Sequence, residues 1–243
     1  MSILKKNDKK FYTLFIDGNS CKICFRNLSP KRVVLEEKNK EIEIKDDTCI
    51  DEINDFIQKD GYVCVLQSSL NQGLSKGEII DDGLSLVNKI DGDIISFLDL
   101  GVVNGLRESF GFKIDEFISP FKVLYYLYKN SNLTTTSLFV LKFYDSLAVM
   151  VANEKSVLDG KMLDLNNFYD SENEELFLEN IKAYIENFYE KNDDFIDKIY
   201  IYSSEELGVE MAYYIFTKIF IKTEIPTLDL MDFVSKINIK ENF

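Results

Sequence analysis

The chain has 243 residues, of which 46% are hydrophobic and 13% aromatic, and its formal net charge at pH 7 is -14. This length and composition suffice for a large folded core, while the negative charge argues against binding to nucleic acid or anionic lipid. The chain contains no histidine, which excludes Ser-His-Asp and Cys-His catalysis and histidine-ligated metals.

Targeting signals are not evident. No run of about 18 apolar residues occurs, so the sequence predicts no insertion of this chain into a membrane. The opening stretch MSILKKNDKK is too short and too polar for a signal peptide. We therefore expect a cytoplasmic protein.

The four cysteines could suggest a metal or redox site, because Cys21 and Cys24 have Cys-x-x-Cys spacing. These two residues lie in an alternating strand pattern, however, and residues i and i+3 of a strand point to opposite faces. We expect Cys21, Cys24, Cys49 and Cys64 to be reduced, buried small side chains, and we predict no metal site.

The first half of the chain opens with three predicted antiparallel strands joined by short turns. The strands are FYTLFIDG, CKICFRN and KRVVLEE. A helix starting at Thr48 and a buried strand, YVCVLQ, follow. Residues 69–92 are less regular and predict a loop with a short helix. The strand DIISFLD, the helix LGVVNGLRESFG and the strand KIDEFIS come next, and Ser119-Pro120 marks the start of an aromatic-rich helix.

From Leu133 the same order of elements recurs. Three strands joined by short turns, SLFVLKF, SLAVMVA and SVLDGKML, precede a long helix over residues 171–191. The strand DKIYIYS then leads into a helix predicted for residues 205–220, and a last short helix, LDLMDFVSKI, precedes a tail, NIKENF. The inner stripe of the long helix is expected to comprise Phe177, Ile181, Tyr184, Ile185 and Phe188.

This duplicated order resembles the actin-like, ribonuclease-H-like superfamily. The resemblance implies an α/β fold with two βββαβα halves and a cleft between them. We expect residues 1–132 to form the first half, with a reduced insertion near 69–118, and residues 133–243 to form the second.

The stretch FIDGNSCKI resembles the first phosphate loop of actin-like ATPases and sugar kinases. In those families a carboxylate holds Mg²⁺ and small residues admit the phosphates. The resemblance assigns these roles to Asp17, Gly18, Asn19, Ser20 and Lys22, although Gly18 follows Asp17 directly and departs from the family spacing. The same residues also make an ordinary hairpin turn.

The other two nucleotide elements of this fold are eroded. In the second-half turn, LKFYDSLAV, Asp145 and Ser146 are in place, but Tyr144 stands where a glycine would admit a phosphate. The adenosine element, a glycine pair in the family, corresponds to Ser203 and Ser204, with two carboxylates following. We therefore expect a vestigial nucleotide cleft and no cofactor; ATP with Mg²⁺ is the open alternative.

A narrower resemblance, carried by DIISFLDLGVVNGLRESFGFKIDEFISPFKVLYYLY, is to PilM and cytoplasmic GspL, assembly-platform proteins of type IV pili and type II secretion. It implies a non-enzymatic cytoplasmic adaptor or scaffold of a pilus, secretion or DNA-uptake platform, peripheral to the inner membrane. The implied partner is the cytoplasmic segment of an inner-membrane protein; a secretion ATPase and a homodimer remain open, and no nucleic acid is expected.

The aromatic helix offers a candidate partner site, with a hydrophobic slot lined by Phe121, Tyr125, Tyr126 and Tyr128. The alternative is that these side chains belong to the core. Two alternatives to the adaptor also stand. One is a small ATP-dependent phosphotransferase resembling type III pantothenate kinases, with Asp17 holding the metal and Asp145 as a second ligand or base. The other is an interaction module of unrelated α/β fold.

Overall fold

The computed structural model describes residues 8–45, 48–57, 60–77, 83–165, 173–203 and 207–243. In chain order the elements are β1 (Lys9–Asp17), β2 (Ser20–Leu28), β3 (Val34–Glu43), α1 (Thr48–Phe56), β4 (Tyr62–Gln67), β5 (Gln72–Lys76), β6 (Ser85–Asp91), β7 (Ile94–Asp99), α2 (Leu100–Ser109), β8 (Glu116–Ile118), α3 (Pro120–Asn130), β9 (Ser137–Lys142), β10 (Ser146–Ala152), β11 (Val157–Asp164), α4 (Asn173–Lys191), β12 (Lys198–Ser203), α5 (Val209–Ile219), β13 (Lys222–Glu224) and α6 (Leu230–Asn242). Within the described part of the chain, no helix is long and apolar enough to cross a membrane.

The chain divides into two units, each built from separate segments. The first unit contains the residues up to Gln67 together with Gly101–Ile118 and Asp229–Phe243; the second contains Ser68–Leu100 and Ser119–Leu228. The units therefore interleave along the sequence, whereas the predicted halves share a single boundary after residue 132. The difference arises because the chain returns to the first unit twice, lastly with its C-terminal helix.

The first unit has a five-stranded sheet in the order β3-β2-β1-β4-β8. The β1–β2 and β2–β3 pairs are antiparallel, and β4 and β8 continue the sheet in parallel. The central strand β1 is buried over Phe11–Phe15, as its continuous apolar run predicts. The edge strand β3 is exposed and rich in Lys and Glu, which discourages pairing with another chain.

The C-terminal helix α6 completes the first unit by packing on β1 and β2. The amide of Asn238, which is fully buried, donates to the hydroxyl of Thr13 at 3.0 Å. Asp229 caps the N-terminus of this helix by accepting a hydrogen bond from the backbone N–H of Asp232 at 2.9 Å. A buried amide with a side-chain partner on β1 defines where the helix lies against the sheet.

The second unit has an eight-stranded sheet in the order β13-β12-β9-β10-β11-β5-β7-β6. Its first five strands repeat the order and the directions found in the first unit, with antiparallel β9, β10 and β11 and parallel β12 and β13. This repeat agrees with the predicted ribonuclease-H-like halves. The strands β5, β6 and β7 extend the sheet beyond β11, where Gly73 pairs with Lys161.

One face of the second sheet carries a hydrophobic core cluster. The predicted inner stripe of α4 is confirmed, since all five of its members are buried in that core with residues of β9, β10 and β12. Ile215 of α5 lies in the same core, so α4 and α5 cover the same face of the sheet. The cluster joins one helix face to one strand face, as amphipathic elements require.

Several predicted elements differ from those observed. The described part of residues 69–92 contains β5 and β6 in place of the predicted loop with a short helix, because these segments complete the sheet by pairing with β7. Residues 78–82 lie outside the described part. The predicted tail NIKENF is wrong, since α6 continues to Asn242. The helix predicted from Glu205 begins at Val209, and residues 204–206 lie outside the described part.

Candidate functional site

The predicted phosphate turn is a tight two-residue hairpin in the first unit. Asp17 pairs with Ser20 at the ends of β1 and β2, and Gly18 and Asn19 form the turn. Gly18 has φ of 54°, a conformation that L side chains avoid, and glycine at the first turn position is typical of a type II′ hairpin. The carbonyl oxygen of Asn19 accepts a hydrogen bond of 2.7 Å from the backbone N–H of Ile44.

Two polar side chains of the predicted phosphate loop, those of Ser20 and Lys22, face a carboxylate that no sequence motif marks. The hydroxyl of Ser20 donates to Glu41 Oε1 at 2.8 Å, and Lys22 Nζ lies 3.9 Å from the same oxygen. Glu41 reaches both residues because it lies directly opposite Lys22 in the β2–β3 register. A carboxylate in this position satisfies the hydroxyl and the ammonium, and it repels a phosphate group.

The second-half turn is equally tight. The backbone N–H of Phe143 donates to the carbonyl oxygen of Ser146 at 2.9 Å, which closes the turn at Tyr144 and Asp145. The hydroxyl of Ser146 donates to the carbonyl oxygen of Ser68 at 3.0 Å, and Ser146 is 1% exposed. This hydroxyl therefore serves the interior of the second unit and is not presented to a ligand.

The third predicted element lies at the same edge of the second sheet. Ser203 ends β12 directly opposite Lys142, the last residue of β9, so Ser203 and the turn at Asp145 share this edge. Ser204 is outside the described residues. The following helix has Gly208 as its N-cap, and the carboxylate of Glu210 lies 2.7 Å from the point that a Cβ on Gly208 would occupy. The helix N-terminus, which favours anions, thus already has a carboxylate beside it.

Most of the aromatic side chains of α3 lie in the interior. Phe121 is fully buried, Tyr125 and Tyr128 are each 6% exposed, and Tyr126 is half-buried. Tyr128 packs edge-on against Phe139 of β9, with ring centroids 6.2 Å apart. A hydrophobic slot open to a partner would leave these side chains accessible, but the helix is enclosed on most sides. The alternative that they belong to the core fits Phe121, Tyr125 and Tyr128.

Cysteine chemistry has no visible basis in the described residues. All four cysteines are buried and none forms a disulfide. Burial raises the pKa of the Cys21 thiol to about 12, which keeps it protonated and unreactive at neutral pH. Among the described residues, no group of three Cys, Asp or Glu side chains is placed to hold a metal ion.

The first unit also contains a cavity of about 860 Å³. It opens at the N-terminal ends of β1 and β4, and its lining includes Lys10, Asp60, Tyr62, Lys113 and Asp115. Four of its charged groups form two ion pairs: Lys10 with Asp60 at 2.9 Å and Lys113 with Asp115 at 2.5 Å. No sequence motif marks this cavity, because its walls come from segments far apart in the chain.

Two polar side chains of the cavity wall, Tyr62 and Asp115, are held by hydrogen bonds. The hydroxyl of Tyr62 donates to the side-chain oxygen of Asn242 at 3.0 Å. Burial, with the nearby carboxylate of Glu116, raises the pKa of Tyr62 above its ordinary value, so the phenol stays protonated and cannot serve as a base near neutral pH. Asp115 accepts a backbone hydrogen bond from Val63 at 2.9 Å. These polar groups hold the ends of β4 and β8 together.

Comparison with known proteins identifies the fold. The chain is similar to a Bacteroides thetaiotaomicron protein with actin-like ATPase fold and unknown function (TM-score 0.66, 10% identity, 97% of this chain and 99% of that chain). It is also similar to a PilM–PilN type IV pilus biogenesis complex (0.60, 10%, 89% and 88%) and to MreB 5 of Spiroplasma citri bound to AMPPNP (0.53, 9%, 96% and 98%).

Comparison at the level of sequence finds one matching family, over part of the chain. A family described as a domain of unknown function, DUF8341, matches residues 166–243. No curated protein matches the chain in sequence. At about 10% identity the structural similarities show the fold alone, and PilM is one distant neighbour among several.

The protein is therefore an α/β protein of the actin-like fold, with two mixed sheets consistent with ribonuclease-H-like halves. The predicted fold class is confirmed. The alternative of an interaction module with an unrelated α/β fold is wrong, because the similarity extends over nearly the whole chain.

Proposed function

We propose that the protein is a non-enzymatic, cytoplasmic adaptor that holds the cytoplasmic segment of an inner-membrane protein in a pilus, secretion or DNA-uptake platform. The similarity to the PilM–PilN complex supports this proposal, since it covers 89% of the chain. Loops positioned by a rigid scaffold often carry binding residues, and one fold can serve unrelated functions.

The observation that carries the proposal is the engagement of Ser20 and Lys22 by Glu41. In an actin-like ATPase the corresponding hydroxyl and ammonium would face phosphate. Here a carboxylate takes that place, and Ser146, in the second-half turn, is bonded to the backbone of its own unit. Loss of phosphate contacts at both turns favours a scaffold over an ATP-driven machine.

Calorimetric titration with ATP, with and without Mg²⁺, tests the non-enzymatic part of the proposal. The expected result is no heat of binding and no thermal shift at about millimolar nucleotide. A dissociation constant of about 1 mM corresponds to a binding free energy of only about 4 kcal/mol. The variant Glu41→Gln, with Glu36→Gln on the same strand as the matched control, shows whether the carboxylate is what excludes the phosphate. Saturable binding by the unmodified protein would contradict the proposal.

A second titration tests the adaptor part. The probes are synthetic peptides. Each copies the cytoplasmic segment of a single-span inner-membrane protein whose gene neighbours the gene for this chain. At least one is expected to bind with micromolar or better affinity, whereas extracytoplasmic segments of the same proteins are not. If none binds, the adaptor proposal fails, whatever the nucleotide result.

Two observations favour the alternative of a small phosphotransferase. MreB 5 of Spiroplasma citri, which shares the fold, is bound to AMPPNP, and Asp17 and Asp145 are retained at the two turns. Under this alternative Asp17 would hold Mg²⁺ and Asp145 would be a second ligand or base. Release of ADP that depends on Mg²⁺ and is lost in Asp17→Asn would establish it.

A further inference from the structure

Exposed aromatic side chains of the second unit gather where two helix-to-strand connections meet. Phe195 precedes β12 and is 74% exposed; Phe220 precedes β13 and is 80% exposed. Because β12 and β13 are parallel neighbours, with Lys198 opposite Lys222, the two connections lie at the same edge of the sheet. The helices that lead into them, α4 and α5, also cover the same face of the sheet.

The outer face of α5 extends this surface. Tyr213 is 71% exposed and Phe216 is 43% exposed, and with Phe220 they recur at the three- and four-residue spacing of one helix face. Ile215, on the opposite side of the helix, is fully buried in the core. We call Phe195, Tyr213, Phe216 and Phe220 the aromatic edge.

Two of these rings are held outward by ordered backbone. Phe220 has the left-handed conformation, with φ of 61° and ψ of 23°, and its N–H donates to the carbonyl of Phe216 at 2.8 Å. Glycine is the usual residue at such a helix end. Phe195 stacks obliquely on Tyr189, with ring centroids 5.5 Å apart, and the Tyr189 hydroxyl accepts the N–H of Ile196 at 3.3 Å. A strained, exposed phenylalanine adds little to folding, and such outliers concentrate at functional surfaces.

Exposed carboxylates lie next to Phe195 in the sequence, and the exposed lysines Lys191 and Lys218 lie near the C-terminal ends of α4 and α5. The exposed residues Asp193, Asp194 and Asp197 surround Phe195 in the sequence. The two lysines of the adjoining strands, Lys198 and Lys222, both pair with Glu224, at 2.9 and 3.1 Å. Exposed aromatic faces themselves attract cations, so the rings and the carboxylates select for the same kind of ligand.

We propose that the aromatic edge binds an amphipathic peptide segment rich in Lys and Arg. The inference rests on the proposed adaptor function, because cytoplasmic segments next to membrane spans carry an excess of Lys and Arg. An apolar side of the segment would cover the four rings, and its cations would meet the three aspartates. The net charge of -14 disfavours a second copy of this chain as the occupant.

The test uses the full chain and a fluorescent helical peptide of about five turns, with Leu on one face and Lys on the other. A matched peptide carries Glu in place of Lys. Fluorescence anisotropy is measured with the unmodified protein, with the double variants Phe195→Ser/Phe220→Gly and Asp193→Asn/Asp194→Asn, and with Tyr144→Ser. Tyr144 is exposed at the opposite edge of the sheet, after the C-terminal end of β9, and is the control for loss of a surface aromatic.

The Lys peptide is expected to bind the unmodified protein and the Tyr144 variant equally, and each double variant at least about tenfold more weakly. Unchanged affinity in the Phe195/Phe220 variant would overturn the assignment of the surface, and equal binding of the Lys and Glu peptides would overturn the assignment of the ligand. A concentration-dependent dimer that the Phe195/Phe220 variant abolishes would make a second copy the occupant and overturn the proposal. These outcomes leave the adaptor test intact, since that test uses natural membrane-protein segments.

Discussion

The guanidinium of Arg26, on β2, donates a hydrogen bond of 2.6 Å to the carboxylate of Asp232, on α6, although the two residues are 206 positions apart in the chain. The same guanidinium donates to both carboxylate oxygens of Glu37 on β3, at 3.1 and 3.2 Å. Burial lowers the pKa of Arg26, but these hydrogen bonds outweigh burial and hold it above its ordinary value. One buried cation thus joins two strands to the C-terminal helix within the first unit.

Replacing Arg26 with Met should lower the free energy of unfolding by about 1–3 kcal/mol, because charge-assisted hydrogen bonds to both carboxylates are lost. The Asp232 side chain is 33% exposed and that of Glu37 is 41% exposed, so water can solvate them and the loss should not reach that of a fully buried pair. Urea denaturation measures the change.

The control for this experiment is Lys236→Met. Lys236 pairs with the same Asp232 carboxylate at 2.5 Å but is 67% exposed, so its removal should cost less than about 0.5 kcal/mol. Equal losses of unfolding free energy in the two variants would show that the burial of Arg26 does not increase its contribution to stability.

The titration of Asp232 should contribute to the pH dependence of the unfolding free energy. Burial by itself raises the pKa of this carboxyl, but the hydrogen bonds from Lys236 and Arg26 outweigh burial and hold the pKa below its ordinary value of 3.8. A lowered folded-state pKa gives stability that is present above the unfolded-state pKa and is lost as the pH falls through the folded-state value. The stability that Asp232 contributes is therefore lost as the pH falls below 3.8.

The difference in unfolding free energy between the unmodified protein and Asp232→Asn measures this contribution. It should be constant between about pH 5 and pH 7 and should shrink as the pH falls below the ordinary carboxyl pKa. A difference that stays constant into the acid range would mean that Asp232 is not the titrating group.

Ser119→Ala should destabilise the second unit by about 1 kcal/mol. The hydroxyl of Ser119 caps α3 by accepting the backbone N–H of Phe121 at 3.1 Å, and Pro120 occupies the first helical position. Ser119→Gly should cost only a few tenths of a kcal/mol, since glycine tolerates the cap conformation. Thermal unfolding compares the two, and a larger loss for Gly would contradict the cap as the cause.

Phe220→Gly should be more stable than Phe220→Ala by about 1 kcal/mol, because only glycine adopts the left-handed conformation without strain. Neither variant loses much packing, since the side chain is 80% exposed. Chemical denaturation of the two proteins checks the difference. A more stable alanine variant would imply that the backbone at this position relaxes out of the left-handed region.

Local pattern predicted most of the elements that define the fold. The apolar run Phe11–Phe15 specifies a buried strand, and Ser119 with Pro120 specifies a helix start, because each signal acts over a few neighbouring residues. The same local signals, repeated after Leu133, suffice to predict two halves of similar order. The prediction for residues 69–92 was wrong because the strands β5 and β6 are short and polar. They are stabilised by pairing with β7 and not by a local sequence signal.

The candidate site was less predictable. The sequence marks Ser20 and Lys22 as possible phosphate ligands, but only the register of β2 against β3 brings Glu41 to both of them. A shift of one residue would turn Glu41 to the other face of the sheet. The aromatic edge was missed for a related reason: no local signal tells which aromatic side chains of a helix face the core and which face water when both faces carry them.

By itself, then, the sequence determined where strands, turns and most helices form, since hydrogen bonding and side-chain periodicity within a segment decide them. Tertiary structure alone decided that α6 returns to the first sheet, that Arg26 meets Asp232, and that Phe220 stays in solvent. These outcomes depend on contacts between residues far apart in the chain, whose free energies compete only once the sheets have formed.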